Sequence, residues 1–260
     1  MPRRRHILVT GASGGLGGAL ARHYAGCSGV GAVRLSLWGR DPGRLSALAE
    51  ECRAAGALAE VRSLDITDIE AALAALVAED EADPFDLALL CSGRGDIRAS
   101  GERVEDARLV ALLGALNFTA PAAMAAAIAA RMAQRGHGGI VLVGSAAAFH
   151  ALPFAAAYSG TKAGLARFAQ ALRLGVREHG VAVTLVSPGF IDTAAGRKVP
   201  GPKPLLMRPE KVAARIARAA ARRQPHLVLP WPFVALRWFD RLLPSWVRDR
   251  VLLGLTPPER

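Results

Sequence analysis

The sequence predicts an α/β fold in which helices cover both faces of one doubly wound parallel sheet. Short apolar runs alternate along the chain with longer segments of helix-forming residues. Strands that alternate with helices imply a parallel sheet with right-handed connections. Apolar residues make up 52% of the 260 residues and aromatic residues only 5%, which suits alanine-rich helices packed on a sheet. The length is that of one large domain.

The apolar runs predict about seven strands with helices in the intervals between them. We place the strands near residues 6–10, 32–38, 58–62, 86–91, 139–144, 181–187 and 226–229. We place the helices at residues 15–25, 43–55, 69–80, 103–134, 155–179 and 209–223. The stretch from Met124 to Ala133 is rich in alanine. We interpret it as helix, since alanine is the best helix former.

A glycine-rich turn follows the first predicted strand. The apolar run Ile7-Leu8-Val9 leads into Thr10-Gly11-Ala12-Ser13-Gly14-Gly15-Leu16-Gly17, where a helix is predicted to begin. Glycines allow backbone N–H groups to approach a pyrophosphate closely, and the N-terminus of a helix favours the anion. The turn therefore predicts a dinucleotide site. Its spacing is Thr-Gly-x-x-x-Gly-x-Gly, which differs from the Gly-x-Gly-x-x-Gly fingerprint.

A phenol and an ammonium at helical spacing form the candidate catalytic centre. Tyr158 and Lys162 are four residues apart and lie on the same face of a predicted helix. A free tyrosine has a pKa of about 10, and a nearby positive charge lowers it. Such a phenol can exchange a proton with a carbonyl or alcohol oxygen. Ser145 follows the apolar run of residues 140–143, at the end of a strand where ligand sites of open α/β sheets lie.

Together these residues closely resemble the short-chain dehydrogenase/reductase family, from about residue 5 to residue 195. The resemblance rests on Thr10-Gly11-x-x-x-Gly15-x-Gly17, Asn117, Ser145, Tyr158-x-x-x-Lys162 and Pro188-Gly189. It implies a Rossmann-type domain and hydride transfer between a nicotinamide cofactor and a carbonyl or alcohol. It also implies that no metal is needed, since Tyr158 and Ser145 supply the electrophilic help.

The resemblance assigns roles to individual residues. Tyr158 exchanges the proton, Ser145 orients the substrate oxygen, and Lys162 lowers the pKa of Tyr158 and holds the nicotinamide ribose. Asn117 holds a water that links Lys162 to solvent; the alternative is an ordinary polar residue of a helix. The residues expected at the cofactor are Gly11, Ser13, Gly15, Leu16, Gly17, Arg40, Asp65, Gly93, Tyr158, Lys162, Pro188, Gly189, Ile191 and Thr193.

The end of the second predicted strand favours NADP(H) over NAD(H). An acidic residue at this place binds the ribose 2′-hydroxyl, whereas this chain has Gly39 followed by Arg40. A guanidinium suits the 2′-phosphate; the alternative is that Arg40 is a solvated turn residue. Asp65 matches the family residue that touches the adenine, and it also fits an acid at a helix N-terminus.

The fourth predicted strand departs from the family pattern. The family usually has Asn-Asn-Ala-Gly here, and this chain has Leu90-Cys91-Ser92-Gly93. Gly93 keeps the close approach to the cofactor ribose, whereas the missing asparagines normally brace the sheet and the cofactor. We interpret Cys91 as a buried structural thiol rather than a redox switch.

Two segments are predicted to border the substrate. Residues 194–206 are rich in Gly, Pro and Lys and are expected to form a mobile lid. His150 either contacts the substrate or is an exposed loop residue. The predicted function is an NADP(H)-dependent oxidoreductase that acts on an apolar, lipid-like carbonyl or alcohol. The alternative is a non-catalytic NADP(H)-binding sensor or scaffold, and the complete set of catalytic residues favours the enzyme.

Residues 231–260 are predicted to form an amphipathic extension to a domain of residues 1–230. Three of the four tryptophans, Trp231, Trp238 and Trp246, lie in this extension among leucines and arginines, and prolines divide it into two short helices. Aromatic rings with arginines suit a membrane interface, and a net charge of +11 attracts anionic lipid. The alternatives are that residues 231–255 cover the substrate pocket or pack on a second subunit.

The remaining expectations concern partners and location. The resemblance implies a homodimer or homotetramer with two-fold symmetry. The basic charge comes with no nucleic-acid readout motif, so no nucleic acid is expected. Cys27, Cys52 and Cys91 match no metal spacing and fit reduced thiols. We find no signal peptide and no run of 18 apolar residues. The predicted location is cytoplasmic, with peripheral contact on the inner face of a membrane.

Overall fold

The computed structural model describes residues 4–26, 33–99, 101–199 and 201–254, and these ranges fold around one sheet of seven strands. The strands are β1 Arg5–Thr10, β2 Val33–Gly39, β3 Leu58–Ser63, β4 Leu87–Leu90, β5 Gly138–Val143, β6 Val181–Pro188 and β7 His226–Leu229. Their order is β3-β2-β1-β4-β5-β6-β7, and all neighbours are parallel. The order reverses between β1 and β4, and ligands bind at such a switch point, outside the carboxyl ends of the strands.

Helices connect the strands and cover both faces of the sheet. Those in the described ranges are α1 Gly15–Gly26, α2 Pro42–Ala54, α3 Ile69–Ala82, α4 Ala107–Gly114, α5 Ala120–Arg135, α6 Ala156–Val176, α7 Ala194–Lys198, α8 Pro209–Ala221, α9 Phe233–Leu242 and α10 Ser245–Gly254. The predicted fold class is confirmed, and most boundaries agree with the predictions within two residues.

Two predicted helices differ from the structure. The helix predicted at 103–134 begins at Ala107, because the Asp106 carboxylate accepts a hydrogen bond from the Leu109 N–H and so caps α4. A π-helical turn, Ala115–Thr119, then joins α4 to α5. The helix predicted at 155–179 ends as α6 at Val176 and continues as one 3₁₀ turn to Gly180, whose φ of 73° ends it.

The core has two halves, one on each face of the sheet. Ile7 and Val9 of β1 belong to the half formed with α1, α2 and α8, whereas Leu8 belongs to the half formed with α3, α5 and α6. Successive side chains of a strand point to opposite faces, so a strand covered on both sides is apolar throughout. This explains why the central strands β1, β4 and β5 contain unbroken apolar runs, whereas the edge strand β3 is largely exposed and includes Glu60 and Arg62.

The helical stretch Ala107–Arg135 has the length and composition of a membrane-spanning helix. It is 29 residues long and apolar enough to cross a bilayer by these two criteria alone. Polar residues such as Asn117 and Arg131 interrupt it, so the sequence has no run of 18 apolar residues there. In the structure 44% of its most apolar window is buried, and α5 packs against α3, α6 and β5. The stretch thus serves as a core helix of the domain.

The predicted lid lies between two anchored ends. Ile191 and Met207 form an isolated parallel bridge, in which Met207 N–H donates to the Phe190 carbonyl at 3.0 Å and Asp192 N–H to the Met207 carbonyl at 2.9 Å. Between these ends, α7 occupies the first part of residues 194–206. The bridge fixes where the lid begins and ends, while its movement stays a prediction.

The C-terminal extension contains the two short helices that its prolines predict. They are α9 and α10, each 10 residues long. The helix α9 packs on β7 and on the 3₁₀ turn Ala146–Phe149 that follows Ser145. The division into a domain of residues 1–230 and an extension stays a prediction.

Candidate active site

The glycine turn after β1 has a backbone that side chains would disrupt. Gly11 has a φ of +65°, and a Cβ there would lie 3.0 Å from the Ser92 backbone. A Cβ on Gly17 would overlap the Gly11 carbonyl oxygen. The Gly14 N–H donates to that carbonyl at 2.9 Å, which closes the turn before α1 begins. Such a turn at a helix N-terminus fits a pyrophosphate, and Leu16 anchors it by packing against the core.

The loop after β6 folds over this turn. A Cβ on Gly15 would lie 2.5 Å from the methyl group of Thr193, so Gly15 leaves the room that Thr193 occupies. The Thr193 hydroxyl accepts a hydrogen bond from the Gly196 N–H at 3.0 Å and caps α7. Pro188 is buried, and Gly189 N–H donates to the Leu229 carbonyl at 2.6 Å. The predicted residues of both loops therefore converge at one edge of the sheet.

The predicted adenosine end lies at the exposed ends of β2 and β3. The Arg40 guanidinium and the Asp65 carboxylate approach to 3.8 Å. The Asp65 carboxylate also accepts hydrogen bonds from the N–H and hydroxyl of Thr67. The Thr67 N–H is the main cause that lowers the pKa of Asp65. The alternative role predicted for Asp65 was that of an acid at a helix N-terminus. In the structure Asp68, not Asp65, is the residue that caps α3.

Gly39 is constrained by the glycine turn. A Cβ on Gly39 would lie 2.7 Å from the Ser13 hydroxyl oxygen. A side chain at position 39 would therefore require the Ser13 hydroxyl to rotate away. Ser13 and Arg40 are the polar groups next to this position.

The loop after β4 has its own bracing in place of the missing asparagines. The Thr10 hydroxyl accepts hydrogen bonds from the N–H groups of Cys91 at 3.1 Å and Ser92 at 3.3 Å. A Cβ on Gly93 would lie 3.1 Å from both the Asn117 amide oxygen and the Lys162 Nζ. Burial raises the pKa of the Cys91 thiol to about 12, and the nucleophilic thiolate is therefore strongly disfavoured.

Asn117 is fully buried in the π-helical turn. Its amide oxygen accepts from the Arg94 N–H at 2.8 Å, and its NH₂ group donates to the Arg94 carbonyl at 2.9 Å. The side chain thus fastens the loop after β4 to the helical stretch next to α6. Asn117 is more than an ordinary polar residue of a helix, and its predicted contact with a water stays a prediction.

Ser145 and Tyr158 are brought together by the end of β5 and the start of α6. The Ser145 hydroxyl accepts a hydrogen bond from the Ala147 N–H at 3.1 Å, and the Ser145 side chain lies close enough to the Tyr158 hydroxyl to lower its pKa. Burial raises the pKa of Tyr158, and the Ser145 side chain acts in the opposite direction. This direction is opposite to the predicted one, because desolvation of the phenolate outweighs the favourable contacts.

Lys162 lies beneath this pair and bonds to the sheet. Its Nζ donates to the Val143 carbonyl at 3.0 Å. Burial lowers the pKa of Lys162 to about 8, because water no longer solvates the ammonium. The causes of the Tyr158 pKa shift are burial and the Ser145 side chain, and the Lys162 charge is not among them. Its ammonium lies next to Gly93, where the resemblance expects the cofactor ribose.

Glu105 is a residue of this site that the sequence analysis missed. Ala155, at the N-cap of α6, makes no side-chain cap. Glu105, from a loop distant in sequence, supplies the missing acceptor: its carboxylate accepts a hydrogen bond from the Ala157 N–H at 2.7 Å. The bond holds the turn that contains Tyr158. The two residues are 52 positions apart, so no local pattern in the sequence indicates the contact.

The C-terminal extension also reaches the site. A position over the substrate pocket was one of the three roles predicted for it, beside membrane contact and contact with a second subunit. The Phe233 ring of α9 occupies the space that a Cβ on Gly189 would fill. The Arg237 guanidinium lies 5.8 Å from the centre of the Phe149 ring, four residues after Ser145. His150 is half-buried beside Phe149, and its contact with a substrate stays a prediction.

His226 lies under α9 and is bonded to the sheet. Its Nε2 is 2.9 Å from the Ser187 hydroxyl. Burial, followed by the nearby Arg237 charge, lowers the pKa of His226 to about 4. The imidazole is therefore neutral near pH 7. Within the described ranges, no group of three or more His, Cys, Asp or Glu residues is arranged to hold a metal ion.

Comparison with known proteins identifies relatives over nearly the whole chain. The family described as short chain dehydrogenase matches residues 5–202. An uncharacterized oxidoreductase of Myxococcus xanthus is 34% identical over 246 residues, which are 94% of this chain and 95% of that protein. Human short-chain dehydrogenase/reductase 3 is 31% identical over an alignment of 256 positions, which covers 95% of this chain and 82% of that protein.

Solved structures extend the agreement to the fold. A short-chain dehydrogenase from Sphingobium yanoikuyae in complex with NADPH has a TM-score of 0.79 at 27% identity, over 98% of both chains. A bulky-bulky ketone specific alcohol dehydrogenase from Comamonas testosteroni has a TM-score of 0.77 at 26% identity, over 96% of this chain and 93% of that one.

Proposed function

This chain belongs to the short-chain dehydrogenase/reductase family of NAD(P)-dependent oxidoreductases, and we propose that it interconverts an apolar carbonyl compound and its alcohol with NADP(H). The observation that carries the proposal is the placement of Ser145 close enough to Tyr158 to affect its pKa, together with the buried ammonium of Lys162 one helical turn after Tyr158. A protein that only binds a nucleotide has no use for a proton donor at this place. The sensor alternative is therefore the weaker one.

In the proposed reduction, the protein supplies a proton and an oriented carbonyl group. The Ser145 hydroxyl donates a hydrogen bond to the substrate oxygen. The Tyr158 hydroxyl then gives its proton to that oxygen as negative charge develops on it. The bound cofactor supplies the hydride for the carbonyl carbon. A raised tyrosine pKa keeps the phenol protonated before reduction, so Tyr158 begins as the acid.

The residues proposed to hold the cofactor follow the carboxyl edge of the sheet. The glycine turn takes the pyrophosphate, and Lys162 takes the nicotinamide ribose in the space that Gly93 leaves open. Ile191 and Thr193, with Pro188 and Gly189 before them, face the carboxamide. The preference for NADP(H) is supported by Arg40 and Ser13 at the end of β2 and by the missing acid at position 39.

We propose an apolar substrate because aromatic side chains lie next to the catalytic residues. Phe149 follows Ser145 in the chain, and Phe233 packs over Gly189. The Comamonas relative, whose name refers to bulky ketones, is consistent with a roomy pocket in this fold. The lid of residues 194–206 is proposed to close over the substrate.

The proposal is tested by following NADPH oxidation against ketones of increasing chain length, with and without detergent. We expect turnover that improves with chain length and fails with NADH at the same concentration. NADPH fluorescence titration runs in parallel as a control for cofactor binding. Cofactor binding without turnover of any ketone or alcohol would favour the sensor alternative.

We also propose a homodimer or a tetramer of dimers, formed through the face of α4 and α6. The apolar residues exposed on this side of the molecule include Val110, Leu112, Phe118 and Leu174. The small residues of α5 and α6 are divided: Ala125, Ala129 and Ala157 are buried within the subunit, whereas Ala126 and Ala156 are exposed. Light scattering at micromolar concentration tests the proposal, and a monomer would contradict it. The cytoplasmic location stays a prediction.

A further inference from the structure

The C-terminal extension exposes more large apolar side chains than a soluble surface usually does. Trp231, Leu242 and Trp246 are each at least 73% exposed, and Leu253 is 64% exposed. Single exposed apolar residues are ordinary, whereas a concentration of them marks an interaction site. We call these four residues the apolar rim.

Two rim residues flank the helix that reaches the candidate active site, since α9 begins two residues after Trp231 and ends at Leu242. Phe233 of α9 packs on Gly189, and the exposed Arg237 lies over the Phe149 ring. The other two rim residues, Trp246 and Leu253, belong to α10, which packs on α9. A surface that bound the rim would therefore lie next to the substrate pocket.

The positive charge of the protein distinguishes between the two partners that could bind the apolar rim, a second copy of the chain and a lipid surface. Arg250 of α10 is exposed, and Arg215, Arg218 and Arg222 line one shallow cavity beside β7. The whole chain has a net charge of +11. A second copy docked on the rim would bring exposed arginines of this region, such as Arg250, close to their own counterparts, whereas an anionic lipid surface attracts them. Tryptophan and arginine together are also the side chains that membrane interfaces favour.

We propose that residues 231–254 dock on an anionic lipid bilayer and hold the mouth of the active site against the surface that supplies the apolar substrate. At 10 residues each, α9 and α10 are too short to cross a bilayer. They lie in the interface, with the rim side chains among the headgroups and the upper acyl chains. The docking stands by itself, while the delivery of substrate rests on the proposed oxidoreductase function.

The test uses the full-length protein and flotation with vesicles. One set of vesicles is phosphatidylcholine alone, and the other contains about a third phosphatidylglycerol. The variants are Leu242→Glu and Trp246→Glu. The matched control is Val104→Glu, since Val104 is equally exposed at 76% but lies in the loop before α4. We expect each rim variant to weaken binding to the anionic vesicles by about tenfold or more and the control to leave it unchanged.

Salt and assembly give two further readouts. Raising the salt from about 0.1 M to about 1 M shortens the screening length roughly threefold, so wild-type flotation should decrease. No flotation of the wild-type protein on anionic vesicles overturns the proposal. Equal flotation of wild type and rim variants also overturns it. A lower oligomeric mass of the rim variants with unchanged flotation would identify a second copy as the occupant instead.

Turnover of a short, water-soluble ketone without vesicles separates this proposal from the proposed function. We expect the rim variants to keep that activity and to lose activity on a long-chain ketone embedded in vesicles. Loss of docking with unchanged turnover of the embedded ketone would overturn the delivery step. A protein that docks but reduces no ketone would leave the docking intact and remove the oxidoreductase function.

Discussion

The two ends of the candidate cofactor site differ in how far water reaches them. At the catalytic end, Lys162 is 4% exposed and Ser145 is 6% exposed, and both are hydrogen-bonded to the backbone. At the adenosine end, the Arg40 and Asp65 side chains are 67% and 47% exposed. Charges interact strongly where water is excluded and weakly where water screens them. The chemistry is therefore part of the core, while the choice of cofactor depends on two surface side chains.

This difference predicts that substitutions at the buried catalytic end abolish most of the turnover, whereas substitutions at the exposed adenosine end change only the preference between the two cofactors. The Tyr158→Phe substitution should have the largest effect. It removes the proton donor and retains the ring, so turnover should fall by roughly 10²–10⁴-fold. NADPH affinity should change little, since Lys162 rather than Tyr158 carries much of the expected contact with the ribose. Ketone reduction and fluorescence titration measure the two quantities, and near-wild-type turnover would remove Tyr158 from the acid–base role.

Lys162 provides a test of the buried end without any substrate. The unfolded chain keeps the lysine proton up to about pH 10, whereas the folded protein releases it near a pKa of about 8. Between these values the unfolded state binds more protons, so this group makes the free energy of unfolding rise with pH. The free energy of unfolding of the wild type, minus that of the Lys162→Met variant, should rise by roughly 2 kcal/mol from about pH 7.5 to about pH 9.5.

Urea unfolding of both proteins, in reducing buffer without cofactor, measures this difference. Cys52 and Cys91 also have raised pKa values, which act in the opposite direction above about pH 9. Cys52 is present in both proteins, so its contribution cancels in the comparison. The Lys162 charge lowers the pKa of Cys91, but that pKa stays near 12, so the Cys91 thiol remains protonated in both folded proteins over the pH range compared. A difference that stays constant with pH would mean that Lys162 is solvated in the folded protein.

The Arg40→Ala substitution tests the exposed end. Removal of the guanidinium should reduce the preference for NADPH over NADH by about tenfold. We expect the lower part of the range for a charge-assisted bond, because Arg40 is solvent-screened and already faces Asp65. Dissociation constants of both cofactors for wild type and variant measure the effect. Equal constants for the two cofactors in wild type would rule out the proposed preference.

Glu105 is expected to give the smallest effect. The Glu105→Ala substitution removes the acceptor at the start of α6, so the free energy of unfolding should fall by about 1 kcal/mol. Turnover should fall with it, because the turn that holds Tyr158 loosens, while the affinity for NADPH is retained. Glu105→Gln keeps an acceptor oxygen and is the matched control. If Gln and Ala behave alike in turnover, the bond from Ala157 does not position Tyr158.

Local chemistry made most of the fold and the central site predictable. Alternation of apolar strands and alanine-rich helices is a short-range pattern, and so is the four-residue interval between Tyr158 and Lys162. The glycine turn is another, since the backbone positions that exclude a Cβ must be glycine wherever the turn occurs. The start of α4 was missed by four residues because Asp106 was not recognised as its cap.

What the sequence by itself determined is therefore the parallel α/β sheet, the glycine turn and the residue types of the catalytic centre, because each depends on neighbours a few positions away. The tertiary structure alone decided that burial raises the pKa of Tyr158, that Glu105 caps α6, and that Phe233 and Arg237 bring the C-terminal helices to the active site. These facts depend on which distant segments exclude water from one another. That arrangement emerges only when the whole sheet is folded.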